Sequence, residues 1–219
     1  MVKNIIFDFD GVLVDSEGLI AKSFSEYLSK RNITFTEKQF YEYAGKKTVQ
    51  IVSELSSIYN IADSDIFFED IIKFSNQLYE NDLQPIEGAK EFLEKTNHNR
   101  FIGSNNIKHK ILKGLKKIKF DKYFTESSVY SFDLVQKPKP LPDIFLQPFK
   151  LHDIKKNETI IIEDSLVGVK AGVAAGVRVV VITAGSHWYA ERSRKELLEA
   201  GAFEVVNSFH EMLELIDKL

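Results

Sequence analysis

Phe7-Asp8-Phe9-Asp10-Gly11-Val12-Leu13-Val14-Asp15-Ser16 follows the apolar residues Val2, Ile5 and Ile6 and ends their run with two acids and a glycine. An apolar run of this length reads as a buried strand. Side chains two apart on a strand share a face, so Asp8 and Asp10 are expected to leave the strand end on the same side. Gly11 lets the backbone turn sharply where a Cβ would crowd a ligand. Two carboxylates this close repel each other, and both ionise at neutral pH only with a cation between or beside them.

Beyond this stretch the apolar period changes from two to about 3.6. Leu19, Ile20, Phe24, Tyr27 and Leu28 recur at helical spacing. Further helical patterns cover Thr36 to Ala44, Thr48 to Tyr59 and Ser64 to Asn81, with Gly45 in the break between the first two. No strand pattern is found between Asp15 and Leu83, and Pro85 and Gly88 punctuate the exit from the helical block. After Ala89, helices and strands alternate. Strands are expected at Phe101–Ser104, Thr159–Ile162, Val177–Ile182 and Glu204–Val206. Helices are expected at Ala89–Thr96, Ile107–Ile118, from Asp143, at Val167–Ala175 and at Phe209–Leu219. This alternation predicts an α/β fold with a Rossmann-like parallel sheet covered on both faces. The expected organisation is a core of residues 1–15 and 84–219 with an α-helical domain inserted at 16–83. In such sheets ligands sit beyond the carboxyl ends of the strands, where Asp8/Asp10, Ser104/Asn105 and Glu163/Asp164 should converge.

Composition narrows the function classes. The chain has 219 residues, 44% of them hydrophobic and 28% charged, enough for a large core. A formal net charge of -3 gives no reason to expect nucleic acid or an anionic membrane as partner. With no cysteine, neither disulfides nor thiolate metal sites are available. No apolar run approaches the length of a membrane span, and a cytoplasmic monomer is expected.

Glu163-Asp164-Ser165 follows a strand and opens a helix, where Asp and Ser are ordinary caps. Beside Asp8 and Asp10, however, these further acids call for a hard cation. Oxygen ligands without a His or Cys cluster point to Mg2+ rather than zinc. Ser104, before Asn105-Asn106, offers a hydroxyl and amides at a helix start, suited to an anion or simply to capping. Lys137-Pro138-Lys139-Pro140-Leu141-Pro142-Asp143 is a proline-stiffened loop with two ammonium groups that could neutralise acids and a phosphate.

Taken together these residues resemble the haloacid dehalogenase-like hydrolase superfamily. The similarity is to the branch with a helical cap after the first strand, that of β-phosphoglucomutase, phosphoglycolate phosphatase and many small phosphatases. Four motifs stand in the family's order: Asp8-Phe9-Asp10-Gly11 with Asp15-Ser16, then Ser104-Asn105, Lys139-Pro140-Leu141-Pro142-Asp143 and Glu163-Asp164-Ser165. The last continues into the Gly- and Ala-rich stretch Gly168 to Gly176. Lys139 is preferred to Lys137 because Pro-x-Pro-Asp-Ile-Phe follows it at the family spacing.

The resemblance implies that Asp8 is the nucleophile, forming an aspartyl-phosphate. Asp10 would act as general acid and then base. Mg2+ would be held by Asp8, the Asp10 backbone carbonyl and Asp164, with Glu163 direct or through water. Lys139 and Ser104 would stabilise the transferring phosphoryl group. Asp10 argues against the family's dehalogenases and phosphonatases, which lack an acid at that place. Ile20 stands where the phosphomutases carry a histidine and cannot relay a proton, favouring hydrolysis over phosphomutase activity. A non-catalytic phosphate sensor would require loss of the nucleophile or a metal acid, and neither is lost. The expected substrate is a small phosphorylated metabolite: a sugar phosphate, a phosphorylated sugar acid or a nucleoside monophosphate. Asn105 and, in Tyr43-Ala44-Gly45-Lys46-Lys47-Thr48, Lys46 and Lys47 are the candidate substrate contacts.

Overall fold

Asn4–Phe7 forms β1, a central strand with hydrogen-bonded neighbours on both sides, and all four of its residues are buried. The computed structural model describes residues 1–43, 48–135, 137–189 and 193–219. The remaining strands are β2 (Asn99–Ser104), β3 (Val129–Ser131), β4 (Thr159–Glu163), β5 (Arg178–Ile182) and β6 (Glu204–Val206). They make one six-stranded sheet in the order β3-β2-β1-β4-β5-β6, every pairing parallel. Phe7 is in register with Ile102 on one side and Ile162 on the other. The chain builds outward from β1 in one direction and then returns to build in the other. The crevice at this reversal, between the carboxyl ends of β1 and β4, is where such sheets bind ligands.

Two units divide the chain: Met1–Asp15 with Gln84–Leu219, and Ser16–Leu83. In the α/β unit, α5 (Ala89–Lys95), α6 (Lys108–Lys117), α7 (Asp143–Leu151), α8 (Leu166–Ala174), α9 (Lys195–Glu199) and α10 (Phe209–Ile216) accompany the sheet. The two-residue period of β1 divides the core. Ile6 packs with Phe101, Ile144, Phe145, Ile161, Val169 and Val179. Its neighbour Phe7 meets Phe92 and Phe124 edge-on, at 6.1 and 5.7 Å between ring centres. The two chain passages bordering the helical unit are bonded to each other: Asp15 N donates to Gln84 O and Ile86 N to Leu13 O.

The helical unit comprises α1 (Ser16–Ser29), α2 (Glu37–Tyr41), α3 (Thr48–Tyr59) and α4 (Ser64–Asp82). Its core holds Phe24, Tyr27, Phe40, Leu55, Phe67 and Ile71, with the Tyr27 and Phe67 rings stacked at 4.4 Å. The helix expected from Thr36 is shorter than its pattern. A capping box between Thr36 and Gln39 starts it, and it ends at Tyr41. Ala44 to Lys47 lie outside the described residues, and so therefore do the candidate contacts Lys46 and Lys47.

Two local readings need correction. The first strand stops at Phe7, so Asp8 and Asp10 lie on the loop beyond it and the strand period does not orient them. The three-residue β3 carries too short a pattern to be anticipated; its Ser131 pairs with Ser104 on the neighbouring strand.

Candidate active site

Asp8 leaves β1 still tied to β4, its N–H donating to Ile162 O at 2.9 Å. The turn then closes through Gly11 N to Val14 O. Gly11 has φ +77, and a Cβ there would stand 2.0 Å from Asp164 Oδ2. Only glycine permits both that backbone and that approach.

Lys139 is the lysine that reaches the acids. Its buried Nζ donates to Asp8 Oδ1 at 2.7 Å and to Glu163 Oε1 at 2.6 Å. Lys137 is exposed. Asn105 clamps the lysine's main chain: its Oδ1 accepts from Lys139 N at 2.9 Å and its Nδ2 donates to Lys139 O at 3.3 Å. Ser104 is buried at the end of β2, its Oγ accepting from Asn106 N. Asn106 Nδ2 in turn donates to Asp10 Oδ2 at 3.0 Å.

Glu163 is fully buried and its two oxygens divide their work. Oε1 holds Lys139, while Oε2 accepts from Asp164 N, Ser165 N and Ser165 Oγ at 2.8 to 3.0 Å. Ser165 also caps α8 through Gly168 N. Asp164 faces His187, whose Nε2 lies 2.9 Å from its Oδ2.

Oxygens of Asp8, Glu163 and Asp164 lie within 4.8 Å of one another, a grouping that does not include the Asp10 carboxylate. Burial, and after it the neighbouring charges, governs these groups. Burial drives Asp8 well above the usual carboxylate range, with Lys139 opposing and Glu163, Asp164 and Asp10 adding to the rise. Burial likewise raises Asp164, followed by the Glu163 charge. Glu163 is buried too, but the Lys139 ammonium and the turn amides outweigh burial and hold it low. Burial would depress Lys139, yet Asp8 and Glu163 overcome it and keep the ammonium charged. Three clustered acids against one ammonium form a site short of positive charge. An oxygen-only donor set of this kind fits a divalent hard cation, with Asp8 and Asp164 the acids left wanting it.

Sequence reasoning missed Asn106 and His187. Asn106 could have been suspected as the second of two adjacent asparagines after a strand. Nothing in the sequence around His187 singles it out.

A family profile described as haloacid dehalogenase-like hydrolase matches residues 5–182. A solved structure, a conserved haloacid dehalogenase-like protein of unknown function from Agrobacterium tumefaciens, is 31% identical. It superposes with a TM-score of 0.89 over 100% of this chain and 99% of its own. A 6-phosphogluconate phosphatase of Escherichia coli is 25% identical over 188 residues, 85% of either protein. A phosphorylated carbohydrates phosphatase of Thermotoga maritima is 26% identical over 206 residues, 92% of this chain and 93% of that one. The profile match runs from β1 to the end of β5 and takes in the loops bearing Asp8, Asp10, Ser104, Lys139, Glu163 and Asp164. With the sheet order and the clustered acids agreeing, the chain belongs to the haloacid dehalogenase-like hydrolase family.

Proposed function

We propose that the protein is a Mg2+-dependent phosphatase that hydrolyses a small phosphorylated sugar or sugar acid through an aspartyl-phosphate on Asp8. The observation carrying this reading is the buried Asp8–Lys139–Glu163–Asp164 cluster at the sheet's point of reversal. A carboxylate gripped by a charged lysine suits nucleophilic attack on phosphorus, because the same ammonium then faces the phosphoryl oxygens.

Asp8 attacks phosphorus as the ester P–O bond breaks, and Asp10 gives its proton to the departing alkoxide. That Asp10 stands outside the acid cluster and accepts a hydrogen bond from Asn106 supports this role. Water then attacks the phosphoenzyme, Asp10 recovers a proton from it, and Asp8 is released with inorganic phosphate. The Ser104 oxygen already accepts from Asn106 N, which leaves the hydroxyl hydrogen to be given to a phosphoryl oxygen. Asp8, the Asp10 carbonyl and Asp164 would hold magnesium. When bound, it supplies the missing positive charge and neutralises the phosphoryl group. Glu163, with both oxygens occupied, serves chiefly to hold Lys139 in this reading.

The sugar-directed reading is supported by the names of the relatives from Escherichia coli and Thermotoga maritima. Ile20, packed against the helical unit's core, supports water rather than a sugar hydroxyl as acceptor. The helical unit between Asp15 and Gln84 would act as the substrate-selecting cap. A test is phosphate release from a panel of phosphorylated sugars, sugar acids and nucleotides, with Mg2+ and with EDTA. Asp8→Asn should abolish turnover without unfolding the protein. Near wild-type rates in that variant would sink the mechanism.

A further inference from the structure

We infer that His187, on the loop after β5, is a positioning residue for Asp164, holding one carboxylate oxygen so that the other is presented to the metal. This rests on the magnesium-dependent reading above. The imidazole and carboxylate meet at 2.9 Å with both side chains 7% exposed. An N–H in that place fixes the carboxylate's rotation in a site where solvent does little to hold it. Partners of this kind orient metal ligands, and their loss usually costs about 10–100-fold in metal affinity.

The loop is built to deliver that ring. Thr183 N donates to Val206 O at its base, Ser186 Oγ donates to Asp15 Oδ1 at 2.8 Å, and Trp188 N closes the turn on Gly185 O. Two glycines on separate loops leave room for the pair. A Cβ on Gly185 would lie 2.8 Å from the imidazole's Cε1 and Nδ1, and one on Gly11 would strike Asp164 and come within 3.2 Å of Cε1. Asp15, the last acid of the opening motif, thus anchors the loop that carries His187. The histidine lies beyond residue 182, where the family match ends, so the family's motifs do not account for it.

The test measures Mn2+ binding to the full-length, substrate-free protein by electron paramagnetic resonance of free Mn2+. Emission from Trp188, the only tryptophan and a neighbour of His187 with ring centres 5.7 Å apart, provides a second readout. His187→Leu should weaken Mn2+ binding about 10–100-fold. His187→Gln, whose amide N–H can take the place of Nε2–H, should bind near the wild-type level. Any other ranking of the two overturns the inference, since a role in loop packing alone gives no reason for the amide to rescue. Should His187→Leu fail to fold, His187→Asn replaces it with the same expected loss, because its amide stops one methylene short. Asp164→Ala separates this idea from the one beneath it. If Asp164→Ala binds Mn2+ like wild type, the metal assignment falls and the inference with it. If Asp164→Ala loses binding while His187→Leu keeps it, only the positioning role is refuted.

Discussion

Gly168→Ala sets helix propensity against the active site. Gly168 lies in the first turn of α8 without a positive φ, so alanine suits the backbone and should favour the helix by about 1 kcal/mol. The added Cβ, however, would fall 1.6 Å from Glu163 Oε1 and 1.8 Å from its Cδ. That carboxylate is not a mobile side-chain end: it is fully buried and bonded to Lys139, two turn amides and the Ser165 hydroxyl. Moving it leaves the buried ammonium short of a partner, which costs about 3–5 kcal/mol in comparable pairs. The net loss is then about 2–4 kcal/mol, or roughly 4–16 °C in Tm for a chain of this size. Catalysis should fall about 10²–10³-fold, as when one preorganised transition-state donor is lost.

Thermal melts followed by Trp188 emission, with kcat measured on the folded protein, give both quantities. Gly172→Ala is the control in the next turn. Its Cβ would press on Val179 at 2.4 Å, so stability should drop while kcat holds. A Gly168→Ala protein as stable and active as wild type would refute the argument that this glycine exists to admit Glu163.

Three other outcomes are expected. Lys139→Ala should reduce kcat by about 10²-fold or more while Lys137→Ala is mild, and steady-state rates showing the reverse would reassign the loop. Asp164 has a folded-state pKa above its unfolded value, so its ionised form is disfavoured in the metal-free protein as pH rises through the folded value. In EDTA, Asp164→Asn should therefore melt above wild type near neutral pH, with the gap closing in acid; a lower Tm would contradict the charge imbalance. Mg2+ at about 100 times its Kd should stabilise wild type by about 2.7 kcal/mol and Asp164→Asn much less, which calorimetry can compare directly.

Much of the α/β core was legible because its signals are local. Ile160–Ile162 and Val179–Ile182 are buried runs bounded by polar ends, and α5, α8 and α10 lie within a residue or two of their patterns, except that α10 ends at Ile216. Helix and strand periods are properties of neighbours two to four residues apart, so one chain suffices to read them. β3 escaped because its three residues contain only a single period.

The site divides along the same line. Sequence alone was enough to set polar pairs at three strand ends, and the family resemblance, through the spacing after Lys139, to choose between two lysines. It could not tell that β1 ends before Asp8, that Asn105 braces the Lys139 backbone, or that Asn106 holds Asp10. Nor could it show Glu163 divided between an ammonium and a turn, or His187 set against Asp164. Those contacts join residues up to 96 positions apart, on loops that meet because parallel registers align the ends of β1, β2, β4 and β5. Local chemistry determined which groups this protein carries at its strand ends. The sheet's register and its glycine clearances decided which of them touch, because both arise only when distant segments pack.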